Sequence, residues 1–179
     1  MPRVQEHLAA GDWAVLAIVA EGPTHGFAVA KTLAPAGEIG RVWSLSRPLV
    51  YRSLDQLVDI GLVAKGAAKP SARGPHRTTV ETTARGNRMV RGWLNEPVDH
   101  VRDVRSLLML KLLFITRSQL DPRPLLDAQK EQMLPVAAAL EARALSAEGF
   151  ERTLAQWRLE STRALLRFLD TAQIPAGRY

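Results

Sequence analysis

The chain has 179 residues, 46% of them hydrophobic. That is enough for one domain or two small ones with a proper core, and too apolar for wholesale disorder. It contains no cysteine, which excludes disulfides and thiolate metal sites. Its net charge of +6 is unevenly placed: from Arg41 to Arg91 ten Lys or Arg residues stand against three acids, leaving the rest of the chain near neutrality. Such a stretch is either an Arg-rich solvated surface or the electrostatic footprint of a polyanion.

In chain order, Val4 to Ala10 is weakly amphipathic and reads as a short lead-in helix. Met1–Gln5 leads into no apolar run of secretory length, and the most apolar stretch, Leu107 to Ile115, is short and carries Lys111. The expectation is therefore a cytoplasmic chain with no membrane span. Asp12 is placed to cap a helix over 13–21 whose inner stripe is Trp13, Leu16, Ala17 and Ala20. Gly22-Pro23 breaks it. Thr24 caps a third helix over 25–33 with Phe27 and Ala30 inward, ended by Pro35-Ala36-Gly37. Arg41 to Leu45 alternates with period two and reads as a short strand.

The stretch that organises the chain is Ser46–Leu62, SRPLVYRSLDQLVDIGL. Val50, Leu54, Leu57 and Val58 share one helical face, and Arg52, Gln56 and Asp59 lie opposite. Ser46 suits an N-cap, Pro48 costs no hydrogen bond in a first turn, and Gly61 stops the helix. The exposed half offers Ser46, Arg47, Tyr51 and Arg52 beside the positive end of the helix dipole. Alone, this is an ordinary core helix with a solvated face as readily as a groove-reading one. The segment C-terminal to it decides between the two. Strands over 62–65 and 77–82 flank a basic, Gly/Pro-bearing loop containing Lys69, Arg73 and His76, which makes a wing directly after a helix-turn-helix. Thr83 caps the next helix, over 84–94, with Met89, Val90 and Trp93 apolar, and Asn95-Glu96-Pro97 ends it.

Beyond a boundary near Pro97–Val98 the pattern is helical throughout. A helix over 101–116 carries Val104, Leu107, Leu108, Leu112 and Ile115. A long one over 125–145 is bent or interrupted near Pro135, which lacks an N–H. The last, over 150–171, sets Phe150, Leu154, Trp157, Leu165, Phe168 and Leu169 near heptad spacing. That stripe is either the inside of a helical bundle or a dimerisation surface, and its length favours the second. The fold class is thus mainly α with a small β-wing: an N-terminal winged helix-turn-helix over 1–97 and a C-terminal helical dimerisation domain over 98–179.

With these motifs in place, the chain resembles the PadR family of transcriptional regulators. The run from Leu16 to Phe27 is similar to the family's opening helix and its His-Gly-aromatic turn. Tyr51 to Val63, with Tyr-x-x-Leu-x-x-Leu and a terminal Gly-Leu, resembles its recognition helix. Thr83-Ala84-Arg85-Gly86 followed by Trp93-Leu94 resembles the helix after the wing, and Val101-Arg102-Asp103 with Leu107 to Phe114 the start of its C-terminal domain. Two departures alter the groove contacts. Members usually carry a small residue near Pro48 and often a proline where Arg52 stands, and the returning wing strand usually has an aromatic where Thr78 and Thr79 stand here. The resemblance implies a homodimer, binding of double-stranded operator DNA, usually repression, and for some members release by a small molecule.

On this reading Arg47 and Arg52 reach base edges, since Arg pairs guanine O6 and N7. Tyr51 either meets a phosphate or packs half-buried. Lys69, Arg73, His76 and Arg77 follow the backbone or minor groove, and Thr24, His25 and Gly26 offer N–H groups to another phosphate. Phosphate contacts position the protein and base contacts specify the sequence. The four histidines are scattered, and there is no Gly-rich phosphate loop or nucleophile elbow, so neither an enzyme nor a cofactor or metal site is expected. The acids Glu96, Asp99 and Asp103 near the linker read as helix caps rather than as acid–base groups. Trp13, Trp93 and Trp157 are either core or the lining for a small hydrophobic or aromatic effector. The alternative function is a winged-helix adaptor whose basic face meets an acidic protein without specific DNA binding.

Overall fold

The computed structural model describes residues 8–69 and 77–172, and its N-terminal unit is assembled around a helix with almost no solvent face. In α1 (Ala10–Ala20) every residue from Gly11 to Val19 except Trp13 is buried. The helix starts before Trp13, so Asp12 is not its cap but sits in the first turn. There Asp12 Oδ2 accepts the Ala9 backbone N–H at 3.1 Å, half of a capping box, since Ala9 carries no acceptor. The single stripe expected from periodicity is absent because α1 is packed by α3 and the sheet at once and has hydrophobic neighbours all round. The expected lead-in helix falls mostly on residues 1–7, outside the described residues.

A two-residue strand, β1 (Thr24–His25), precedes α2 (Gly26–Thr32). Thr24 is therefore not the cap of that helix; His25 is, its Nδ1 accepting the Ala28 N–H at 3.0 Å. Phe27, expected inward, is 50% exposed, and Val29 takes the core position beside Ala30. The stretch 41–45 forms turns instead of a strand. Val42 and Trp43 N–H groups both donate to the Ile39 carbonyl, and Leu45 N–H donates to Leu33 O, with Ile39 and Leu33 fully buried beneath. Five alternating residues are too few to hold a strand against those anchors.

Next come α3 (Arg47–Asp59), β2 (Val63–Lys69), β3 (Arg77–Thr82) and α4 (Ala84–Asn95). The sheet is antiparallel in the order β1-β3-β2. The register of β2 against β3 shifts by one residue between Lys65 and Ala68, a bulge on β2. The strand that completes the sheet is thus the short piece before α2, which pairs Thr24 with Val80 and His25 with Thr79.

The chain divides into two compact units at Trp93 and Leu94. In the second, α5 (Val101–Asp103), a π-helical segment (Val104–Leu108) and α6 (Met109–Arg117) succeed one another. They are followed by an α7–α8 hairpin (Arg123–Ser146, Gly149–Thr171). Helix α7 runs through Pro135 uninterrupted, although that ring removes one i→i−4 bond. Fully buried Gln129 on α7 accepts the Val98 N–H at 2.7 Å and donates to Val98 O at 2.9 Å, pairing the segment before α5 as a strand partner would. Surface ion pairs Lys130–Asp170, Arg163–Glu141 and Arg143–Glu151 span α7 and α8. Exposed as they are, they set register more than stability. Among the described residues no helix is long and apolar enough to cross a membrane.

Lys111 is 3% exposed and donates through Nζ to the Glu96 carbonyl. Loss of hydration lowers its pKa to about 8, with Glu96 and Asp99 opposing. The unfolded chain, with the ordinary value of 10.5, holds this proton more tightly than the fold does. The cost of burying the charge is therefore fully present below pH 8 and is relieved as pH rises from 8 to 10.5. Denaturant unfolding across that window should show wild type gaining about 3 kcal/mol relative to Lys111→Met. Parallel curves would mean that the ammonium is not desolvated.

Candidate nucleic-acid interface

Helix α3 is held at three places, and each leaves its outer face unused. Along its inner face Val50, Leu54 and Leu57 are buried, the stripe that periodicity gives, with Val58 only partly covered. Among them Ser53 donates its hydroxyl to Asp12 Oδ1 at 2.6 Å, a buried link to α1. At the C-terminus Ile60 is the cap and Gly61 takes φ +72°, a left-handed backbone that glycine adopts without strain. Gly61 N–H donates to Val58 O and Leu62 N–H to Leu57 O, the paired bonds of a Schellman motif. Two carbonyls left over there are taken by the segment after the wing. Thr83 donates its hydroxyl to Gly61 O at 2.9 Å while accepting the Gly86 N–H, and Arg85 donates to Ile60 O at 2.7 Å. Thr83 is thus the cap of α4, as its position before that helix suggested.

The outer face begins with Ser46, Arg47, Pro48 and Leu49, all exposed, and continues through Tyr51, Arg52, Asp55 and Gln56. Ser46 occupies the cap position with extended backbone but makes no side-chain cap bond. The Arg47 guanidinium lies over two rings, 5.6 Å from the Phe27 centroid and 5.7 Å from that of Tyr51. Of the two roles left open for Tyr51, packing is the one the fold displays. Its ring packs on the start of α2, where a Cβ on Gly26 would stand 2.7 Å from Tyr51 Cε1, yet the residue remains 40% exposed. Gly26 is there to admit that ring.

Thr24 and His25 belong to β1 and are half-buried. His25 uses Nδ1 on the backbone of α2 and approaches the Phe27 ring at 6.4 Å, which brings the Thr24–Gly26 group beside Arg47 and Tyr51. Lys69, the last residue of β2, and Arg77, the first of β3, are register partners. Arg73 and His76 lie outside the described residues. Charge counting overstates the patch in two places, since Lys65 is paired with Asp55 at 2.9 Å and Arg85 is spent on Ile60. It also passes over Phe27 and Leu49, the latter 46% exposed. Reading the polar face alone assigns apolar side chains to the core by default. The signal that finds Leu49 is its helical phase, about 100° from Val50.

The expected effector and dimer residues fall in two sets. Trp13 and Trp93 stack on each other, centroids 5.0 Å apart and planes within 5°, while the Trp157 ring is 70% exposed on α8. Helix α8 carries two stripes where the sequence suggested one. Ala155, Leu159, Thr162, Leu165 and Leu169 are buried, on the helix that pairs with α7. Phe150, Leu154, Trp157 and Phe168 form the other stripe, with Phe150 76% and Phe168 36% exposed. Leu165 and Leu169 are thus covered within the chain, because heptad spacing cannot separate two stripes that lie one residue apart.

Residues 15–91 match the family model described as the transcriptional regulator PadR-like family. Among solved structures, the chain is similar to Bacillus subtilis PadR in complex with operator DNA, at 20% identity over 89% of this chain and 96% of that one, with a TM-score of 0.47. It is also similar to the same protein in complex with p-coumaric acid, at 18% identity over 90% and 92% with a TM-score of 0.41. A PadR-like transcriptional regulator from Bacillus cereus matches at 18% identity over 89% and 93%, TM-score 0.41. No curated protein matches the sequence. The PadR-like segment holds the helix-turn-helix, the wing strands and most of α4, a mainly helical winged-helix fold with a three-stranded sheet.

Because Ser53 is the only residue that donates from α3 to the Asp12 carboxylate among the described contacts, removing it strands a buried acceptor. Ser53→Ala should cost about 1–3 kcal/mol, read by thermal or urea unfolding. In a double-mutant cycle with Asp12→Asn the losses should be clearly non-additive. Additive losses would show that the two groups are stabilised separately.

Proposed function

We propose that the chain is a homodimeric repressor that binds a pseudo-palindromic operator, with α3 in the major groove and the β2–β3 wing along the adjacent backbone. The observation that carries the reading is the outer face of α3. A cationic, aromatic surface from Ser46 to Arg52 is presented while the helix is fastened from behind at its middle, through Ser53, and just past its C-terminal end, through Gly61. The match of residues 15–91 to the PadR-like family model supports the same use. Arg47 and Arg52 read bases. Thr24, His25, Gly26, Ser46 and Tyr51 meet phosphates, and Lys69, Arg73, His76 and Arg77 follow the backbone or minor groove. The C-terminal unit supplies the two-fold axis through Phe150, Leu154, Trp157 and Phe168, an apolar stripe that needs a partner to leave water. Recognition helices related by that axis meet half-sites ~34 Å apart or at a multiple of it. A small hydrophobic or aromatic effector releases the operator by favouring a dimer geometry that does not bind, since equal affinity for both states shifts nothing. Trp157, exposed on the single chain and part of that stripe, is the residue we expect to report it.

The test is a mobility shift on the DNA upstream of the chain's own coding sequence, with light scattering expected to give about twice 19.7 kDa. Arg52→Ala should lose ~1–3 kcal/mol on the operator and relax one base position. Arg77→Ala should weaken all sequences alike and reduce the salt slope by about one. No shift on any duplex, with an acidic protein bound instead, would leave the adaptor reading. For the effector, aromatic compounds should quench tryptophan fluorescence and release DNA in one concentration range, and Trp157→Ala should abolish both. Quenching without release would remove the regulatory half.

A further inference from the structure

We propose that Phe27 is a positioning residue for Arg47: with Tyr51 it holds the guanidinium between two rings and presents it, already aimed, to a guanine edge. The inference rests on the reading of α3 as the DNA-contacting helix. The three side chains come from two helices. Phe27 is in the first turn of α2, Arg47 opens α3 and Tyr51 follows one turn later. The guanidinium carbon sits 5.6 and 5.7 Å from the two ring centroids. One wall of this clamp is fixed, because the Tyr51 ring rests against Gly26. The other wall is Phe27, with the His25 ring tilted beside it at 6.4 Å.

Core packing does not account for Phe27, which leaves half its surface in water while Val29 and Ala30 of the same short helix are buried. A guanidinium held by rings rather than by hydrogen-bond acceptors keeps its N–H edge for a second partner. That edge is the one that pairs guanine O6 and N7 together. A phosphate contact would not need a fixed plane, whereas a bidentate base contact does. A restrained Arg also loses less rotamer freedom on docking than one trailing in solvent. Phe27 thus acts through Arg47 on sequence preference, not on the general attraction for DNA.

Selection of the full-length chain on a pool of random duplexes, read by sequencing, tests this. Wild type should enrich a half-site with one guanine whose replacement by a deazaguanine lacking N7 weakens binding. Arg47→Ala should flatten that position, about 5- to 150-fold. Phe27→Ala should reduce preference at the same position about two- to fivefold, and Phe27→Tyr should restore it. The rest of the motif and the thermal midpoint should be unchanged in both. A Phe27→Ala motif identical to wild type, or equal losses on enriched and unrelated DNA, overturns the clamp and leaves DNA binding standing. A wild type that enriches no motif overturns the DNA-binding reading, and the clamp with it.

Discussion

The N-terminal unit depends on a helix that has to be dry on nearly every side. From Ala14 to Val19 the residues of α1 are 7% exposed or less, so α2, α3 and the sheet each have to cover part of it. The carboxylate of Asp12 is drawn into that interior at 8% exposure. It is tolerable there because two donors meet it. One of those donors belongs to α3, which gives that helix an orientation as well as a place. A hydrophobic contact alone would fix distance but leave rotation about the helix axis soft. The buried hydrogen bond removes that freedom and determines which side chains of α3 point outward.

Where one face of a segment is wet, the sequence is informative. The stripe of Val50, Leu54 and Leu57, the stop at Gly61, the cap at Thr83 and the two wing strands are all written as local chemistry. Local chemistry fails where neighbours override it. In α1 burial all round erases periodicity. At Arg41–Leu45 an alternation that suits a strand is overruled by turns anchored on Ile39, and the sheet's third strand is a two-residue piece with no strand signature of its own. Phe27 reads as an inward residue because it is apolar, whereas it lies half-exposed beneath the Arg47 guanidinium, next to the Gly26 position that admits the Tyr51 ring. These are relations between segments some twenty residues apart, invisible to any window along one helix.

In the C-terminal unit the helices are legible but not their facing. Helix α8 bears two apolar rows displaced by one residue, and a heptad count merges them. The pairing with α7 separates them, covering Leu165 and Leu169 and leaving Phe150 and Trp157 outside. Lys111 is misleading in a different way. A lysine in an apolar run reads as a break in hydrophobicity, yet its ammonium reaches a backbone carbonyl fifteen residues earlier. The polar segment around Glu96 to Asp99 is the counterpart of that burial, and Gln129 closes the same segment from the other side.

The fastening of the far end of α3 has a consequence for how such a protein can change over evolutionary time. Thr83 and Arg85 hold Gly61 and Ile60 by their main-chain carbonyls, and the Gly61 turn is closed by main-chain bonds alone. None of these attachments depends on what side chains the outer surface of α3 carries. Positions such as Leu49, Arg52 and Gln56 can therefore drift without loosening the scaffold behind them. If α3 is the DNA-contacting helix, as proposed, it is an interchangeable reading head on a constant mount, and new target sequences are reachable through single substitutions that leave folding intact.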